Sequence, residues 1–253
     1  MSARFPPELA LLAERLRRED PDRFAMAMLA PAEAQARLVT LYVLNAELAR
    51  TALAARDPLI AEMRVQWWVD RLGALHAPPP PHELLSPLWS AWGSKAAAFA
   101  GLAESRRHDA AREPFQDTAA VVAYADATGG ALMSHAARTL GAPDVPALQA
   151  QGRGAALTAW LRAQPALQQL GLGLFRADPQ ELAALAHIAM QAFGKAAAAR
   201  RTLPRAAAPA LLPGPSPIRF LDALILKRKP PDLSDLTRRA ALARLALTGR
   251  WWV

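Results

Sequence analysis

The sequence predicts an all-α protein, a single-domain helical bundle, and three observations carry that expectation. Valine, isoleucine and the aromatic residues rarely fall into period-2 runs, whereas Ala, Leu, Arg, Glu and Gln, all good helix formers, dominate the chain. Apolar residues recur at helical spacing, as in Leu9, Leu12 and Leu16. At 253 residues, 53% hydrophobic and 21% charged, the chain is long enough to bury a core unaided and lies outside disordered compositions.

The first helix carries the Leu9, Leu12 and Leu16 stripe, with Pro7 at its start and Asp20-Pro21 after its end. A second, longer helix follows Pro31 and sets Leu38, Leu41, Tyr42, Asn45, Leu48, Ala49 and Ala52 on one face. A third begins at Pro58, carries Leu59, Met63, Gln66, Trp67 and Asp70, and is stopped by the proline run at 78–81. Helical patterns then cover 83–92, 95–112, 117–140, 145–169 and 178–201. Five prolines within 204–217 predict a connector without a helix, followed by short basic helices near 217–228 and 233–248. The expected organisation is a bundle over 1–203, a Pro-rich connector over 204–217, and basic C-terminal helices over 218–253 that pack on or extend the bundle.

Composition removes whole classes of function. With no cysteine there is no disulfide, thiolate metal site, iron–sulfur cluster or cysteine nucleophile, and five scattered histidines do not suggest structural zinc. His135 and His187 sit alone on apolar helices and read as structural, and Ser134-His135 lacks the glycines of a nucleophile elbow. The first ten residues lack the apolar core of a signal peptide, and the most apolar stretch, 182–199, is broken by His187, Gln191, Gly194 and Lys195. A cytoplasmic protein without a membrane span is expected.

The net charge of +8 is concentrated at one end. Residues 1–199 balance 19 basic against 19 acidic side chains, while 200–253 hold 11 basic and 3 acidic, so the last fifth contains the whole excess. An anionic partner, either a phospholipid surface or an acidic protein face, fits this distribution, as does a merely solvated surface. Nucleic acid is not expected, because the tail lacks interleaved stacking aromatics and any reading motif. Arg238, Arg239, Arg244, Arg250, Trp251 and Trp252 are the candidates for a membrane or partner surface, with a fold-back of the two tryptophans onto the bundle as the alternative.

Three stretches carry a family resemblance. Pro31-Ala32-Glu33, then 41–50 (LYVLNAELAR), then 62–70 (EMRVQWWVD) resemble squalene/phytoene synthase family proteins, as do Tyr124-Ala125-Asp126-Ala127-Thr128-Gly129-Gly130 and 156–162 (ALTAWLR). The resemblance implies an isoprenoid (prenyl) synthase fold and head-to-head coupling of two prenyl diphosphates, with magnesium bridging the leaving diphosphate to two Asp-x-x-x-Asp motifs. Both motifs are absent here. The first pair should fall at Ala49 or Arg50 and at Leu53, with Glu47 the only acid between Asn45 and Arg56. The second should fall at Ala163 and Leu167. The family's phosphate-holding Gly-Arg is also missing, since the chain reads Gly171-Leu172-Gly173-Leu174-Phe175. Only Asp109, Glu113 and Asp117 are acids four apart, and Pro114 interrupts them, which suits a loop with a helix cap at Asp117.

Members with erased aspartates resemble the branch that includes a mitochondrial assembly factor for respiratory complex I, and this chain is similar to bacterial relatives of that branch. The resemblance implies a non-catalytic assembly or scaffold protein, a pseudoenzyme without catalytic or metal-binding residues and without a cofactor. It would work on a respiratory assembly intermediate at the inner face of the membrane. Two alternatives stand beside it: an active or altered prenyltransferase using magnesium, and a basic lipid-binding module. Tyr42, Asn45, Arg64, Gln66, Tyr124, Gly129 and Arg162 are the candidates for lining a residual pocket that takes an isoprenoid lipid. Small residues such as Ala127, Gly129, Gly130 and Ala131 leave room for such a pocket, or simply let helices pack closely. Gln66 and Asp70 form an i,i+4 pair, and of the adjacent Trp67 and Trp68 one should be buried and the other lie at a surface.

Overall fold

The computed structural model describes residues 5–253, so part of the stretch read as lacking a signal peptide, residues 1–4, lies outside the described residues. The chain is all-α: among the described residues the extended pairing is a single parallel bridge between Phe115 and Leu174. It divides into two compact units, Met1–Arg112 and Glu113–Val253.

The first unit contains α1 (Pro7–Glu19), α2 (Pro21–Leu29), α3 (Ala32–Ala54), α4 (Pro58–Gly73), α5 (Leu85–Trp92), α6 (Ala100–Glu104) and α7 (Arg107–Ala111). Its centre is α3, where Leu38, Val39, Leu41, Val43 and Leu44 are all buried; a helix apolar on every side has to be surrounded, and α1, α2, α4 and α5 pack on it. The helix α2 was not expected. Asp20-Pro21 ends α1 but also starts a new helix, because the Asp20 carboxylate accepts from the Arg23 amide at 2.9 Å and Pro21 sits in the first turn, where no amide is needed. The helix expected over 95–112 is split into a 3₁₀ stretch (Gly93–Phe99), α6 and α7. Gly93 turns the chain at φ +57°, a conformation glycine adopts without strain. At the far end the Arg112 guanidinium donates to the Leu53 and Ala55 carbonyls at 3.1 and 2.5 Å, satisfying the free end of α3.

The second unit contains α8 (Thr118–Ala125), α9 (Ala131–Thr139), α10 (Pro146–Gln169), α11 (Pro179–Ala198), α12 (Ala208–Leu211), α13 (Pro217–Ile225) and α14 (Asp235–Thr248). The helix expected over 117–140 is one rod with a π turn, Asp126–Gly130, between α8 and α9. At this turn the rod meets α10 at very short range. A Cβ on Gly130 or Gly152 would lie 3.1–3.3 Å from opposing or local backbone, and one on Gly129 would meet the Ala156 Cβ at 2.8 Å. The small residues therefore serve close helix packing here. Gly154 likewise makes room for the Phe193 ring on α11, which packs along α10 over the longest contact of the unit.

The proline-rich stretch 204–217 also departs from expectation. Ala208–Leu211 forms one helical turn, with Pro209 in its first turn, and Ala207, Ala208, Ala210, Leu211 and Leu212 are buried. The buried Gln151 side chain on α10 donates to the Leu211 carbonyl at 2.8 Å, so this segment is a working part of the second unit's core. Trp251 is 2% exposed, which corrects its placement on a membrane or partner surface; it folds back, and Trp252 packs edge-on against it at 5.8 Å.

Two glycine substitutions separate close packing from simple helix propensity. Gly194→Ala, with open space around its Cβ position inside α11, should raise unfolding free energy by about 0.5–1 kcal/mol. Gly152→Leu should lower it by about 1–3 kcal/mol or more through forced separation of α10 from the π turn. Denaturant titration of both variants reads the difference directly.

Candidate functional site: the motif helices

In the first unit, α3 and α4 carry the residues singled out from the sequence. Tyr42 is 3% exposed; burial pushes its hydroxyl up to about 12, and the Arg23 guanidinium lies 5.7 Å from its ring centre. Asn45 is buried and accepts from Arg106 at 3.2 Å, while Arg106 also holds the buried Asp109 carboxylate at 3.1 Å. On α4, Gln66 donates to Asp70 at 2.6 Å and accepts from Arg107, which confirms the i,i+4 pair and adds a third member. Trp68 is buried and donates to Thr51 at 3.2 Å, whereas Trp67 is 38% exposed, so the adjacent pair divides as expected. Arg64 is exposed and, with Arg50 and Trp67, lines a groove of about 290 Å³.

Glu47 is the acid nearest to the first motif positions on α3. Burial alone would raise its carboxyl, but hydrogen bonds from Arg15 and Arg50, both at 2.5 Å, outweigh that and hold it below the ordinary glutamate range. Both guanidiniums donate to the same oxygen, Oε2, and their two positive charges oppose a further cation at this carboxylate. The Arg15 contact spans 32 residues and has no local sequence signal.

In the second unit, the Tyr124 ring packs edge-on against Phe115 at 5.2 Å, and Phe115 in turn packs on Trp160 at 5.8 Å. Gly129 is spent on the contact with Ala156. Arg162 donates to the Pro215 carbonyl at 2.7 Å and lies 4.9 Å over the Phe220 ring, with burial and the neighbouring Arg238 both pushing its pKa down. Ala163 is exposed, and Leu172 and Leu174, where a phosphate-holding arginine is expected, are buried in the core. Asp117 caps α8 by accepting from the Ala120 amide at 2.8 Å, the role read from its position.

The sequence profile of the squalene/phytoene synthase family matches residues 16–174, well over half of the chain. The chain belongs to the squalene/phytoene synthase family. Its fold is similar to the crystal structure of a dehydrosqualene synthase in complex with ligand, with a TM-score of 0.71 at 12% identity, covering 94% of this chain and 95% of that one. A search of the curated proteins found no match.

Family membership makes the motif positions a question of donor chemistry. Magnesium takes hard oxygen ligands in octahedral geometry, usually one or two carboxylates with water and substrate phosphate. The residues present do not fit it: the positions hold Ala49, Arg50, Leu53, Ala163 and Leu167, and the nearby Glu47 is closed by arginines. Among the described residues no group of three or more His, Asp or Glu side chains is placed to hold a metal ion.

The C-terminal candidates have a different character. Arg239, Arg244 and Arg250 are exposed and Arg238 is half-buried, while Arg200 and Arg250 lie 5.5 and 5.7 Å from the Trp252 ring centre. Among the described residues, every ion pair lies at or before Arg153, so the basic side chains of the last fifth form none. No helix among the described residues is long and apolar enough to cross a membrane.

The Glu47 cluster makes a pH prediction. A carboxyl held below its unfolded value contributes stability that is present above the ordinary glutamate range, near pH ~4.3, and is lost as pH falls through the folded value. Glu47→Gln should cost about 2 kcal/mol at neutral pH and flatten the acid limb of the stability curve. Urea midpoints measured between pH 7 and pH 3 for both proteins check the magnitude and the slope.

Proposed function

We propose that this chain is a non-catalytic member of the squalene/phytoene synthase family that works as an assembly factor, of the respiratory complex I type, held at the inner face of a membrane. The observation that carries the reading is the substitution of both carboxylate pairs. Ionising an allylic diphosphate develops several negative charges on the leaving group, and the family meets them with metal-bridged carboxylates. Here the corresponding turns of α3 and α10 offer methyl groups, isobutyl groups and an arginine. Arg50 can attract a phosphate, but it cannot bridge one to a metal.

A scaffold needs a face for its partner, and α4 offers one. Leu59, Ile60, Met63 and Trp67 are exposed on it at 65%, 45%, 66% and 38%, flanked by Arg64 and Arg71, with the Arg71 guanidinium 5.5 Å from the Trp67 ring centre. The acids of the same helix are drawn aside, since Glu62 pairs with Arg107 at 3.7 Å and Asp70 is held by Gln66. An apolar ridge rimmed by free arginines suits a protein segment that combines apolar residues with carboxylates. The unneutralised arginines of the C-terminal region add an attraction of about 1 kcal/mol each toward anionic lipid.

Three measurements test the reading. Purified protein incubated with farnesyl or geranylgeranyl diphosphate and magnesium should release no pyrophosphate and form no squalene- or phytoene-type product; turnover abolished by alanine at Asp109, Glu113 or Asp117 would overturn it. Affinity capture from gently solubilised native membranes should retrieve subunits of the NADH-oxidising respiratory complex, and Met63→Arg with Trp67→Ala should lose them while keeping the helical circular dichroism. Vesicles containing phosphatidylserine should sediment the full chain at low salt and release it at high salt, with Arg239→Glu/Arg244→Glu binding several-fold less. Equal binding to neutral vesicles would remove the membrane part of the proposal.

A further inference from the structure

The last helix, α14, has one buried side chain. Leu245 is 3% exposed, and among the described residues no other helix packs along α14. Its ends are held separately: the Ser234 hydroxyl accepts from the Thr237 amide at 3.2 Å, and Arg205 donates to the Thr248 carbonyl at 3.2 Å.

The side opposite Leu245 is apolar, the reverse of an ordinary surface helix. Leu236 and Leu247 are 77% and 81% exposed, and Ala240 and Ala243 lie exposed between them. At 100° per residue these four positions fall within about 60° of arc, with Leu245 roughly 170° from their midline. Arg239 and Arg244, both exposed, stand about 70° to either side of it. Among the described residues neither arginine forms an ion pair.

The spacing of this face selects its occupant. Positions 236, 240, 243 and 247 are separated by four, three and four residues, the alternation of d and a sites in a heptad, which puts Arg239 at a g site and Arg244 at an e site. A seam this narrow is the contact face of paired helices. A helix lying in a membrane interface carries a broad face of bulky apolar residues, whereas the two central positions here are alanine, which leaves room for larger side chains from a facing helix. A second copy of this chain does not complete the seam, because its e and g sites are Thr237, Arg239, Arg244 and Ala246 and supply no carboxylate. Charge complementarity calls for acids on the facing helix.

We propose that α14 docks an acidic amphipathic helix of another protein, which lays apolar side chains into the seam and sets carboxylates against Arg239 and Arg244. This face lies on a different unit from the α4 ridge, and the proposal does not depend on whether the chain assembles a respiratory complex.

Two synthetic peptides of three heptads test it, both with leucine at a and d, one with glutamate at e and g and the other with lysine there. Isothermal titration of the full chain at low salt should show one glutamate peptide per chain, bound at least tenfold more tightly than the lysine peptide. Ala240→Gln/Ala243→Gln, which disrupts the seam and leaves the charge unchanged, should weaken the glutamate peptide at least tenfold with circular dichroism and melting temperature preserved. Arg239→Glu/Arg244→Glu should invert the preference between the peptides. The proposal is overturned if the glutamate peptide does not bind, if the lysine peptide binds as tightly, or if the double alanine variant leaves binding unchanged. It is also overturned if sedimentation equilibrium shows a dimer that the double alanine variant dissociates, which makes the seam a contact between copies. Loss of sedimentation with phosphatidylserine vesicles in that same variant overturns it too, because the stripe is then a membrane face; attraction to vesicles through charge alone should survive in it.

Discussion

The approach of α10 to the π turn between α8 and α9 is the constraint on which the second unit depends. Gly130 meets the Gly152 backbone there and Gly129 meets Ala156, so closely that even a methyl group on any of these glycines would be crowded. The extra residue per turn in a π segment shifts the register of the rod, so α8 and α9 both stay in contact with α10. With α10 fixed at that crossing, Leu157, Trp160 and Leu161 enter a core shared with Phe115, Leu185, Phe193 and Leu221. The same crossing fixes where Arg162 emerges beside α13. A local requirement for glycine thus sets the place of a charged group ten residues further along the helix.

Charge is handled differently in the first unit and in the last fifth of the chain. In the first, arginines and acids close on one another: Arg15 and Arg50 on Glu47, Arg106 on Asp109, and Arg107 on Glu104 and Glu62. The Arg15–Glu47 and Arg106–Asp109 charges, largely buried on both sides, need their partners, because breaking one leaves the other desolvated and alone. Toward the end of the second unit Arg162, Arg200 and Arg205 rest on carbonyls and aromatic faces. Pairing within the first unit is structural. The unpaired charge of the last fifth is what remains for outside anions.

A prenyl-coupling site would need carboxylates held apart from cations and turned toward a shared metal. Here the acid of α3 is drawn into a guanidinium clamp, and the helix that should carry the second pair presents alanine and leucine. The fold is retained at a TM-score of 0.71 against a dehydrosqualene synthase at only 12% identity. Helical packing depends on the spacing and volume of apolar residues, which many sequences satisfy, whereas a diphosphate site depends on particular acids at particular turns. The two can therefore separate.

The sequence by itself determined the all-α class, most of the helices, the family and the erased motifs, because helical periodicity, proline punctuation and short motifs are local and survive in one dimension. It also determined the Asp117 cap, the Gln66–Asp70 pair and the division of Trp67 from Trp68, each set by spacings within one helix or its first turn. The helix α2 was missed because Asp-Pro ends one helix and begins another with the same two residues. The helical turn at Ala208–Leu211 was missed because proline density argues against long helices but not against a single turn that uses proline in its first positions. Only the tertiary structure decided that Trp251 is core, that Glu47 is held by Arg15, and that Arg162 rests on the Pro215 carbonyl and the Phe220 ring. The two charge contacts join residues 32 and 53 positions apart, and no pattern along the chain records which distant group a charge will meet.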